Sequence, residues 1–267
     1  MGNSYVEVIK KAFSDNWIDV YPKKNKRDGG YCTCAYLAHP YIVINYEGKL
    51  DDVSTLIHEL GHAMHYYYAQ NFNTYEDYNY SIFVAEVASQ VNEIILTNYM
   101  LNHTDNIEEK KYILDSILQR FKATMIRQTM FAHFEDNLHN KEMNGTVLTK
   151  ELVQKEYLDL NKLYFGPNVE VDEDIKYECY RIPHFYYNFY VYQYATGYAA
   201  ALKIANDIIN KKDGALENYI KFLKLGSTLD PVKSLKVAGV DIQSPSLYDE
   251  VFEFFDEKRK ELESLYE

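Results

Sequence analysis

The apolar and polar positions fall mostly into helical periods, broken by a few short polar stretches. Val6 to Val20 (VEVIKKAFSDNWIDV) carries Ile9, Phe13 and Trp17 at helical spacing, which predicts an opening helix. A basic, Gly-containing loop follows. YIVINYEGKL, from Tyr41 to Leu50, is a short β-branched run closed by Gly48 and reads as a strand and turn. Asp51 and Asp52 open the helix DDVSTLIHELGHAMHYYYAQ, where carboxylates suit the positive end of the helix dipole. After a polar loop at 71–80, Ser81 to Leu101 is apolar almost all round, the mark of a buried helix. Helical periods continue from Ile107 to about His139, and from Leu148 to Tyr164, where Gly166-Pro167 stops them. Pro183 stands where a helix starts, and a long apolar helix is expected to run on from it. Shorter helical patterns end the chain. The fold class is mainly α, with one small β element near residues 31–48 and no internal repeat or low-complexity linker.

Composition narrows the function classes. The 267 residues suffice for a proper core, and 47% are hydrophobic, as in ordinary globular chains. A net charge of -12 argues against a nucleic-acid backbone as partner. Twenty-seven tyrosines against one tryptophan read mostly as composition bias, with the cluster near residue 190 set apart. Three cysteines, Cys32, Cys34 and Cys179, form no disulfide framework, and Cys32-Thr33-Cys34 lacks the second pair a metal knuckle needs. The N-terminus has no apolar signal core, and Val6 occupies the position where a myristoylation signal needs Ser or Thr. No apolar run is long enough to span a membrane, so the expected setting is the cytoplasm.

The chemistry sits in HELGH. On a helix, His58 and His62 lie about 6 Å apart on one face, so both imidazoles can reach one zinc ion at roughly 2.0–2.1 Å. Glu59, beside the first ligand, can take a proton from a water that the metal acidifies. His65 shares a face with His58 but lies seven residues on, about 10 Å along the axis, too far to bind the same ion. It is a group behind the ligands, a substrate-side contact, or simply a partly buried histidine. A hydrolytic site usually takes three protein ligands. The apolar helix from Ser81 carries one polar stripe, Glu86, Ser89, Gln90 and Glu93. A buried carboxylate is costly without a partner, so Glu86 wants a cation, while Ser89 and Glu93 would orient the ligands. A solvated face on a half-exposed helix is the bland alternative, and Glu76 in the loop NTYEDYN is a rival third ligand.

HELGHAMH followed by IFVAEVASQVNE resembles the M3 family of zinc peptidases, most closely the oligoendopeptidase F branch. HPYIVINYEGKLDDVSTLIHELGHAMH and RIPHFYYNFYVYQYATGYAAA resemble the same branch, so the similarity runs from about Val6 to the C-terminus. The resemblance implies a zincin-like catalytic domain with the neurolysin/oligoendopeptidase F fold. It implies one zinc ion per chain on His58, His62 and Glu86, with Glu59 as general base. His184 matches the family's motif histidine near the cleaved bond. Tyr192 matches a donor to the tetrahedral oxyanion, with Tyr187 and Tyr190 as rivals for a second tyrosine role.

The length departs from the family, whose members are about twice this size and wall a deep channel with a helical N-terminal half. Residues 1–267 resemble only the catalytic half. The expectation is an endopeptidase that cuts internal bonds of short peptides, with no nucleic-acid or membrane partner. The alternative is a zinc-binding fragment or peptide-binding remnant with little activity when the N-terminal lobe is missing. A second copy of the chain is a candidate to cover the surface that lobe would occupy. The strand YIVINY would suit an edge that pairs with an extended peptide.

Overall fold

Helix α1 (Asn3–Ser14) buries Tyr5, Val8 and Ala12, so its inward face is not the Ile9–Phe13–Trp17 line that the spacing suggests. Phe13 is exposed, and the helix stops before Trp17 because Asn16 takes a left-handed φ of 59°. The next residues form a strand, β1 (Ile18–Asp19), inside what the periodicity extends as helix. With β2 (Tyr31–Thr33) and β3 (Tyr41–Val43) it makes a three-stranded sheet in the order β1-β3-β2. β3 is parallel to β1 through Ile18↔Ile42 and antiparallel to β2 through Tyr31↔Val43 and Thr33↔Tyr41. YIVINY is therefore the central strand and not an edge; β2 is an edge. Ile42 and Ile44 point into the core.

The longest helices follow. α2 (Leu50–Phe72) starts where Asp52 Oδ2 accepts the backbone N–H groups of Glu47 and Lys49 at 2.8 and 2.9 Å. α3 (Ile82–His103) is capped by Ser81, whose Oγ accepts the Phe83 N–H. α4 (Ile107–Phe121) passes through one π turn, Lys122–Ile126, into α5 (Arg127–Met143). This long helical run ends slightly later than its sequence pattern suggests. α6 (Lys150–Phe165) is capped by Thr149 and ends at Gly166, whose φ of 77° suits glycine.

After Pro183 the structure departs most from its periodicity. Only a single 3₁₀ turn forms, Pro183–Tyr186, and α7 does not begin until Tyr192 (Tyr192–Ile209). Asn188 and Phe189 have φ of 55° and 53°, so the right-handed helix cannot run through them. α8 (Ala215–Leu223), α9 (Pro231–Val237) and α10 (Pro245–Ser264) complete the chain.

All 267 residues are described in this computed structural model. They form two compact units, Met1–Asp115 with Gly197–Glu267, and Ser116–Thr196. In the first, α2 packs on α3, β2 and α8 around Leu60, Met64, Val87 and Phe222. In the second, Met130, Phe131, Phe134, Tyr157, Leu160, Cys179, Ile182 and Val191 form one buried cluster. The fold class expected from sequence is the one observed: mostly helical, with a small sheet near the N-terminus.

Candidate metal centre

α2 and α3 meet at Gly61, the glycine of HELGH. A Cβ there would lie 2.4 Å from Ser89 Cα and 2.6 Å from the Ala88 carbonyl oxygen. No other residue permits this backbone contact, and it brings Glu86 of α3 up to the histidines of α2. His58 Nε2 lies 3.2 Å from His62 Nε2 and 3.3 Å from Glu86 Oε2, and His62 Nε2 lies 3.7 Å from the same oxygen. Ligand atoms at about 2.0–2.1 Å from a tetrahedral ion stand roughly 3.3 Å apart, so this triangle matches a zinc site with one open position. The chemistry of the set agrees, since two imidazoles and one carboxylate suit zinc. All three side chains are partly exposed, which leaves the open corner accessible.

Neighbouring side chains orient His58 and Glu86. Glu93 Oε1 lies 2.5 Å from His58 Nδ1, an arrangement that protonates Nδ1 and turns the Nε2 lone pair toward Glu86. Ser89 Oγ donates to Glu86 Oε2 at 3.2 Å and to the Glu86 carbonyl at 2.9 Å. Ser89 and Glu93 are buried, as is Gln90 on the same stripe, so this face of α3 is not solvated. Burial pushes the Glu86 carboxyl up, but His58, His62 and Ser89 together hold it below the ordinary carboxylate value. Burial also pushes His62 down to about 4, helped by the His58 charge, so its ring is neutral and able to bind a cation near neutral pH.

Glu59 is buried and faces the strand side of α2. A Cβ on Gly30 would lie 3.3 Å from Glu59 Oε1, so glycine leaves that carboxylate its space. Desolvation raises its pKa above the ordinary carboxylate value; the His58 charge opposes this and Glu86 reinforces it. Glu76 lies exposed in the loop after α2, away from this group. His65 is fully buried, stacked on Tyr80 with ring centroids 3.6 Å apart, and its Nδ1 has no hydrogen-bond partner. Cys34 Sγ contacts Gln70 Oε1 at 3.5 Å, and neither it nor Cys32 is disulfide-bonded.

The second unit holds the other candidate residues. His184 stacks on Tyr190 at 5.4 Å and meets Tyr187 edge-on at 5.9 Å. Its Nε2 lies 3.4 Å from the Tyr194 hydroxyl. Tyr192 opens α7 and is partly exposed. Tyr194 is the member of this cluster that the sequence reading missed. Its spacing of four from Tyr190 was the available signal, and the two rings stand 5.6 Å apart.

The fold and the triad define a class, a helical protein whose His-Glu-x-x-His helix and a carboxylate from the next helix form a group that could hold a metal ion. Residues 2–254 match Peptidase family M3, and the chain belongs to that family. Oligopeptidase PepF of Bacillus subtilis (strain 168) is 45% identical over 265 residues, 99% of this chain and 40% of that protein. The plasmid-borne oligoendopeptidase F of Lactococcus lactis subsp. cremoris is 40% identical, across 100% of this chain and 44% of its own. A crystal structure from Chlamydophila abortus superposes with a TM-score of 0.91 at 40% identity, covering 99% of this chain and 44% of that one. Oligoendopeptidase-F from Enterococcus faecium gives 0.74 at 42% identity, over 81% and 39%. The chain thus spans less than half the length of these relatives. No helix is long and apolar enough to cross a membrane.

Proposed function

We propose that residues 1–267 form the catalytic domain of a zinc-dependent endopeptidase acting on internal bonds of short peptides in the cytoplasm. The observation that carries this reading is the His58–His62–Glu86 triangle with the buried Glu59 beside it. One zinc ion held there would polarise the scissile carbonyl and acidify the attacking water. Glu59, its proton affinity raised by burial, takes the proton from that water and passes it to the leaving amine. Glu93 and Ser89 hold His58 and Glu86 in the ligating orientation. His184 and Tyr192 donate hydrogen bonds to the oxyanion, a role drawn from family resemblance. Tyr187, Tyr190 and now Tyr194 compete for a second donor position. The free edge of β2, next to Gly30 and Glu59, suits an extended peptide added as a further strand.

The alternative reading is a zinc- or peptide-binding domain with little turnover by itself. One experiment separates the two: metal analysis joined to cleavage of an internally quenched oligopeptide. About one zinc per chain and metal-dependent cleavage are expected. Glu59→Gln should retain zinc and lose turnover, whereas Glu86→Gln should lose zinc. Tyr192→Phe should lower kcat by about 10²-fold with KM little changed, as for a lost oxyanion donor. Zinc bound without cleavage would favour the alternative; failure to take up zinc would sink the endopeptidase reading.

A further inference from the structure

The second unit contains a buried carboxylate outside the metal chemistry. Glu135, on α5, is 5% exposed and sits beside the core residues Phe131 and Phe134. A carboxylate there is costly unless bonded. Its partner is not a cation but a backbone group: Oε1 accepts the N–H of Phe189 at 2.6 Å. Phe189 is itself unusual. It and Asn188 are consecutive non-glycine residues in the left-handed region, at φ 53° and 55°. Asparagine tolerates that conformation, but for a bulky aromatic it is strained and persists only when its surroundings impose it. The Phe189 ring is meanwhile held against His139, one helical turn along α5 from Glu135, with centroids 4.4 Å apart.

These contacts pin a strap. Ile182 and Val191 anchor its ends in the same buried cluster, and Glu135 fixes the middle. Between the anchors lie His184, Tyr187 and Tyr190, whose rings pack on one another around the left-handed residues Asn188 and Phe189. We infer that Glu135 is a positioning residue: its carboxylate pins the strained Phe189 backbone and so presents His184, Tyr187 and Tyr190 as one fixed cluster. Its catalytic consequence rests on the reading of His184 and its tyrosines as groups that face the substrate.

Three variants separate reach from charge. Glu135→Gln keeps an acceptor oxygen at the same reach and removes the charge. Glu135→Asp keeps the charge but withdraws the oxygen by one methylene. Glu135→Ala removes both. Amide hydrogen exchange is followed by mass spectrometry on segment 183–191 and on α6 as reference. Exchange of the segment should rise about tenfold or more in Glu135→Asp and Glu135→Ala, stay near wild type in Glu135→Gln, and be unchanged in α6. Zinc content should be equal in all four proteins, and peptide turnover should show kcat about tenfold lower for Asp with KM within about twofold, restored by Gln. Should Glu135→Ala fail to fold, the Asp–Gln contrast still decides. Wild-type exchange in Glu135→Asp, loosening spread equally over α6, or a Gln variant as loose as Asp would overturn the inference, as would a loosened segment with unchanged kcat. A wild-type protein without cleavage would instead fail the proposed function and leave the pin to the exchange measurement.

Discussion

Two histidines three residues apart on α2 play opposite parts. His62 faces Glu86 and His58, whereas His65 is sealed in the core against Tyr80 and Phe222. Burial pushes His65 down to about 3, with the His62 charge adding to it, while an unfolded histidine takes its proton near 6.5. Above pH 6.5 neither state is protonated, and His65 brings no penalty. Between 6.5 and about 3 the unfolded chain binds a proton that the folded chain refuses, so stability falls by about 1.4 kcal/mol per pH unit. His65→Phe keeps a ring to stack on Tyr80 and removes the titration. From pH 6.5 to about pH 5 wild type should therefore lose about 2 kcal/mol more than the variant in urea unfolding, with both proteins zinc-loaded. Parallel pH curves for the two proteins would mean that His65 takes its proton without unfolding.

At the scale of elements, the site is a property of one helix crossing. Gly61 has no Cβ to hold α3 away, so Ser89 and Ala88 backbone atoms fill the space and Glu86 comes within reach of His58. Gly61→Ala should force the helices apart, destabilise the protein by roughly 1–3 kcal/mol as overpacking does, and weaken zinc binding at least tenfold in a chelator competition. Unchanged zinc affinity would show that the crossing does not set the triad. This is also where sequence was most informative: ligand spacing on α2 and the polar stripe on α3 are local helical periods, and each period survives folding. The strap after Pro183 was not legible for the opposite reason. Its apolar pattern favours a helix, but the left-handed turn at Asn188–Phe189 is stabilised by Glu135, some fifty residues earlier, and no local pattern records that bond. The short strand at Ile18–Asp19 was hidden similarly, because only pairing with β3 makes two residues a strand. Tyr194 fell between these cases, its four-residue spacing from Tyr190 being masked by a helix assumed to begin at Pro183.

At the scale of the whole molecule, the two units differ in what a metal can do for them. His58, His62 and Glu86 all belong to the first unit, which also carries exposed Leu37 and Phe13; the second exposes Met143 and Val147. Self-association of folded protein would also raise Tm, so thermal measurements must be repeated across protein concentrations. A ligand that binds only folded protein stabilises it by RT ln(1 + [L]/Kd), about 2.7 kcal/mol at a hundredfold excess over Kd. For a body of this size one kcal/mol moves Tm by about 2–4 °C, so zinc should raise the first unit's transition by roughly 5–10 °C over chelated protein. Above saturation each further tenfold in free zinc should add about 1.4 kcal/mol, a slope set by one ion per chain and independent of its affinity. Glu86→Gln should need more zinc to reach the same shift, because it lacks one ligand charge. Hydrogen exchange locates the effect: protection should grow in α2 and α3, the helices that carry the ligands. A Tm that ignores zinc, or a slope near twice the one-ion value, would rule out a single structural and catalytic ion on His58, His62 and Glu86.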